Sequence, residues 1–108
     1  MARTEIPPGT LYMMILKTIS RAPMHGYGIA QRIKQFSDDV LEVEEGSLYP
    51  ALQRMLIKGW VVAEWKVSDN NRRARYYRLT ALGRKQLEVE LSEFDRVVQA
   101  IRQVLQTA

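Results

Sequence analysis

Arg72-Arg73-Ala74-Arg75-Tyr76-Tyr77-Arg78-Leu79-Thr80-Ala81-Leu82-Gly83 changes character halfway along. Ala74 to Leu79 has the composition of a strand, and Thr80 followed three residues on by Gly83 opens a helix that continues without proline. Just upstream, Trp60 to Val67 is a second β-branched and aromatic run, separated from the first by the polar segment Ser68-Asp69-Asn70-Asn71-Arg72-Arg73. The two runs read as a β-hairpin whose loop is longer than a two-residue turn, so its tip projects. Alternation along the strand puts Arg73 and Arg75 on one face and Arg72 and Arg78 on the other.

Downstream of Thr80, Leu87, Leu91, Phe94, Val98, Ile101 and Leu105 recur at alternating steps of four and three, the spacing of a heptad seam. At about 1.5 Å per residue this helix extends about 40 Å, more than so small a domain can cover by itself. Val97 and Val104 widen the stripe, which favours packing onto more than one neighbouring helix.

Three helices precede the hairpin. Pro7, Pro8 and Gly9 punctuate the start, Thr10 or Gly9 caps a first helix through Leu11 to Ile19, and Ala22-Pro23-Met24-His25-Gly26 reads as a turn. The first helix is apolar on nearly every side, which points to cover from a second subunit. The second starts at Tyr27, turns Ile29, Ala30, Ile33 and Phe36 to one face and ends at Asp38-Asp39. After a link extended at Leu41 and Val43, Gly46-Ser47-Leu48-Tyr49-Pro50 opens the third. Pro50 requires a nearby start, with the cap between Glu44 and Ser47, and Gly59 supplies the stop.

Composition narrows the function. The 108 residues suit one packed unit, and the net charge of +4 permits a polyanionic partner. Without cysteine there is no disulfide, thiolate metal site or thiol nucleophile, and the lone His25 reads as a turn or capping residue. No metal or cofactor is expected, nor enzymatic activity. No apolar run approaches the roughly 18 residues of a membrane span, and the N-terminus lacks a signal-peptide pattern, so a cytoplasmic location is expected.

The element order is that of a winged helix-turn-helix, a mainly α (α+β) fold with a two-stranded hairpin wing and a long C-terminal dimerisation helix. We divide it into a DNA-binding domain over residues 1–80 and the helix over 81–108. His25-Gly26-Tyr27-Gly28-Ile29, Gly46-Ser47-Leu48-Tyr49-Pro50-Ala51-Leu52-Gln53-Arg54-Met55 and the Arg72–Gly83 stretch resemble the PadR family of bacterial transcriptional regulators, in its compact branch with a single C-terminal helix. The resemblance implies a homodimeric repressor that occludes a promoter on double-stranded operator DNA and is released by a small-molecule effector near Phe94 and the first helix. Here both tryptophans lie in the hairpin, unlike relatives whose long-helix tryptophan forms a flat aromatic slot; Trp60 and Trp65 read as hairpin and core packing.

On the third helix, Leu48, Leu52 and Met55 gather on one side and Ser47, Pro50, Gln53 and Arg54 on the other, with Tyr49 at the margin. Gln and Arg are base-reading residue types and also ordinary on a solvated face. Asn71, Arg72, Arg73 and Arg75 suit phosphate contact or minor-groove insertion, while Arg78 can pair with Glu64 or Asp69 across the hairpin. Tyr27 can bond a phosphate through its hydroxyl or pack with its tip in solvent. Leu11, Ile15, Leu87, Leu91, Phe94, Val98, Ile101 and Leu105 form the expected dimer contact. Residues 42–83 carry seven basic against five acidic side chains, whereas 84–108 balance at four each, so the excess lies in the reading half. A winged domain used for protein recognition, without specific DNA binding, is the competing reading.

Overall fold

The computed structural model describes residues 4–6, 9–67 and 69–107. Pro7, Pro8 and Ser68, the N-terminal Met-Ala-Arg and Ala108 lie outside them. In chain order the elements are β1 (Thr4–Glu5), α1 (Leu11–Ile19), β2 (Met24–His25), α2 (Gly26–Phe36), β3 (Leu41–Glu42), α3 (Glu45–Ile57), β4 (Val61–Val67), β5 (Arg73–Leu79) and α4 (Ala81–Leu105). The result is a mixed α/β fold with a helix-turn-helix arrangement and a small sheet.

The expected turn before α2 is in part a strand. Met24 and His25 pair antiparallel with Tyr77 and Tyr76, so the sheet has three strands in the order β2-β5-β4. β1 and β3 make a separate parallel pair, which accounts for the extended link at Leu41. Ile15, Leu16 and Ile19 of α1, Ile29 and Ile33 of α2, Leu48, Ala51, Leu52 and Met55 of α3, Val61, Tyr77 and Leu79 of the sheet, and Leu87 of α4 form one core.

Three expectations about this core change. The apolar circumference of α1 is covered largely by its own chain, through α2, β5 and α4, leaving Leu11, Tyr12 and Met14 half-buried. Ile15 is 0% and Leu87 8% exposed, so neither offers surface to a second copy and both belong to the core of the single chain. Phe36, expected inward, is 63% exposed with the Arg32 guanidinium 5.7 Å from its ring centroid.

The Thr80 to Gly83 segment fastens α4 to the domain. Thr80 caps the helix, its Oγ1 accepting from the Gly83 amide at 3.0 Å and donating to the Gly59 carbonyl at 2.7 Å, while its amide donates to the Trp60 carbonyl at 3.1 Å. Gly83 is required by proximity: a Cβ there would fall 2.1 Å from the Trp60 carbonyl oxygen. Gly59 has φ +76° and closes α3 with paired bonds from its own amide to Leu56 and from the Trp60 amide to Met55. Pro50 is the sixth residue of α3, beyond the opening turn; Gly46, whose carbonyl its missing N–H would have served, is exposed to water. Among the described residues no helix is long and apolar enough to cross a membrane.

Candidate nucleic-acid interface

α3 is seated by Leu48, Ala51, Leu52 and Met55, all essentially buried, so Ser47, Tyr49, Pro50, Gln53 and Arg54 are turned outward. Tyr49 is the wedge of this arrangement. A Cβ at Gly26 would come within 2.7 Å of its ring, so the glycine lets the phenol lie across the start of α2. Burial, with Glu45 and then Tyr77 adding to it, raises the phenol pKa above its ordinary value.

α2 begins at a capped end. His25 Nδ1 accepts from the Gly28 amide at 2.9 Å, which gives the single histidine a capping role. Tyr27, one residue inside, is exposed, and its hydroxyl accepts a 2.6 Å bond from Gln31 Nε2.

The β4–β5 register aligns Val61 with Leu79, Ala63 with Tyr77, Trp65 with Arg75 and Val67 with Arg73. All eight share one face. Its base is core, but the hairpin outruns the helices beneath it, so Trp65 is 59% exposed instead of packing inside as expected. Glu64 pairs with Lys66 at 3.2 Å, and Arg78 stands opposite Val62. Trp60 packs edge-on against Tyr12, with ring centroids 5.9 Å apart.

Between this hairpin face and α2 lies an open cleft of about 890 Å³. It collects Tyr27, Tyr49, Arg72, Arg73 and Arg75 of the residues singled out from sequence. Ser47, Pro50, Gln53 and Arg54 instead lie on the outward arc of α3; Arg54 Nη1 is 3.4 Å from the Tyr12 hydroxyl. Asn71 stands at the hairpin tip with φ +61°, a left-handed conformation asparagine tolerates. Sequence reasoning missed Gln31, Arg32 and Gln35 on the cleft's α2 wall, and Trp65 opposite them. The four-residue spacing of Tyr27, Gln31 and Gln35, which aligns them on one helix face, was the available signal. Among the described residues no group of three or more His, Cys, Asp or Glu side chains could hold a metal.

A seated outward-facing helix beside an arginine-bearing hairpin is the arrangement of a helix-turn-helix DNA-binding protein. The family model for the PadR-like transcriptional regulators matches residues 15–89, and the chain belongs to that family. An uncharacterised protein of Lysinibacillus sphaericus is 33% identical over 102 residues, covering 94% of this chain and 93% of its own length. The crystal structure of a PadR-like transcriptional regulator from Bacillus cereus strain ATCC 14579 superposes with a TM-score of 0.77 at 29% identity, covering 93% of this chain and 95% of the other. A PadR family transcription regulator from Clostridium difficile R20291 gives 0.76 at 26% identity, covering 89% and 98%. The protein is a DNA-binding transcriptional regulator.

Proposed function

We propose that the chain is a homodimeric repressor in which α3 enters the major groove of a pseudo-palindromic operator and the β4–β5 hairpin is the wing. The observation that carries this reading is the placement of Arg72, Arg73 and Arg75 along one cleft that Tyr49 of α3 also lines. Gln53 and Arg54 read base edges; Ser47, Tyr49 and Pro50 set the approach of the helix; Tyr27 and the wing residues Asn71, Arg72, Arg73 and Arg75 hold phosphate or minor groove. Two such readers related by a two-fold axis occupy successive major grooves, and the bound dimer excludes the transcription machinery from the promoter.

The second copy is supported by α4. Leu91 and Phe94 are 37% and 39% exposed, Val98 is half-buried, and Ile101 and Leu105 are 51% and 77% exposed, along one stripe of the helix. A stripe of that length needs an apolar partner. The dimer contact then comprises Leu91, Phe94, Val98, Ile101 and Leu105, with half-buried Leu11 at its edge. Fluorescence anisotropy with a labelled duplex from the protein's own promoter, against a random duplex at physiological salt, tests the reading. Preferential binding of the promoter is expected, and equal affinity for the two duplexes overturns it in favour of a protein-recognition module.

A further inference from the structure

Arg73 and Arg75 are held by rings. The Arg73 guanidinium carbon lies 5.2 Å from the centroid of Trp65, and that of Arg75 lies 5.9 Å from the centroid of Tyr77. Among the described residues neither arginine has a carboxylate partner, although Asp69 lines the same cleft. The distinction matters chemically. A carboxylate would neutralise the guanidinium and occupy its N–H donors, whereas a neutral aromatic ring leaves the charge uncompensated. The two rings differ in their own support: Tyr77 is core, but Trp65 is exposed, so burial does not explain a large apolar side chain there. Its register opposite Arg75 and diagonal to Arg73 places it between the two cations on one face.

We infer that Trp65 is a positioning residue for phosphate binding, an aromatic rest that holds the Arg73 guanidinium with its charge uncompensated for a phosphodiester in the cleft. This rests on the DNA-binding reading of the hairpin given above. A free arginine loses side-chain entropy when a phosphate captures it; one already laid across an indole has lost part of that freedom before DNA arrives.

The test is a double-mutant cycle on the full chain, measured by anisotropy with the promoter duplex over a range of salt concentrations. Arg73→Ala is expected to lower the salt slope by about one. Trp65→Leu is expected to weaken binding about 3-fold with the slope unchanged, because the charge is still present, and Trp65→Phe to recover most of the loss. In the Trp65→Leu background, Arg73→Ala is expected to cost about 3-fold less than in the wild type. Additive effects, or a Trp65→Leu protein that binds like wild type, overturn the inference and leave the operator reading standing; failure of the wild type to bind any duplex overturns both. A second measurement does not depend on the Leu variant folding. In the Trp60→Phe protein Trp65 is the single tryptophan, and Arg73→Ala is expected to change its emission in the absence of DNA. Identical emission with and without the Arg73 side chain overturns the contact on which the inference stands.

Discussion

The outer arc of α3 and the arginine-bearing face of the β4–β5 hairpin are held in opposite ways. α3 sits on four buried side chains and a tyrosine wedged over Gly26, so the positions of Gln53 and Arg54 are set by the core. The hairpin rests on the core only at its base, and beyond Ala63 and Tyr77 its order comes from strand pairing and from arginines lying on rings. Base edges differ by single donors and acceptors and call for a fixed reader, whereas phosphates recur along the duplex and tolerate an adjustable one. The division predicts that damage to α3 alters which sequence is bound, and damage to the hairpin alters how strongly any sequence is bound.

The largest expected effect comes from uncoupling the two copies of α3. Leu91→Asp with Val98→Asp buries two carboxylates in the proposed seam and is expected to give a monomer by light scattering, with operator affinity reduced about 100-fold as the linked second half-site is lost. A dimer that persists in the double variant would move the interface elsewhere. Gly26→Val comes next: its side chain meets the Tyr49 ring, tilting or lifting the start of α3. A stability loss of about 2 kcal/mol is expected, read as a lower melting temperature, together with loss of the preference for promoter over random duplex. An unchanged preference would show that α3 does not depend on the wedge.

Gln53→Ala should then relax discrimination by roughly 1 to 3 kcal/mol, with promoter affinity falling and random-duplex affinity holding. A uniform fall would move Gln53 to the phosphate class and blur the division. The smallest effect belongs to Arg75→Ala, a several-fold loss on both duplexes alike with the salt slope lowered by about one. A change in the promoter-to-random ratio would make the hairpin a sequence reader too.

Local signals were legible where the responsible residues are neighbours in sequence. Thr80 and Gly83 marked the start of α4 by cap chemistry, and Gly59 the end of α3 by its left-handed backbone. β2 was not legible, since two residues have no alternation to read and their pairing to Tyr76 and Tyr77 spans the chain. The exposure of Trp65 was not legible for a related reason: alternation gives its face correctly, but the point where the strand leaves the core depends on the lengths of the helices beneath. Of the candidate interface, the polarity of the α3 arc and the run of arginines were plain, whereas the α2 wall of the cleft came only from packing.

The sequence by itself determined the order of the four helices and the β4–β5 hairpin, the stop of α3 and the cap of α4, the split of α3 into apolar and polar arcs, and the heptad stripe, because each follows from residues within a few positions of one another. Only the tertiary structure decided which apolar surface the chain covers by itself. Ile15 and Leu87 lie in the same pattern as their neighbours yet are enclosed by their own chain, since the bonds of Thr80 and the close approach at Gly83 hold the first turns of α4 to the domain. Beyond them the helix leaves its domain behind, and the same periodicity that filled a core becomes an exposed stripe.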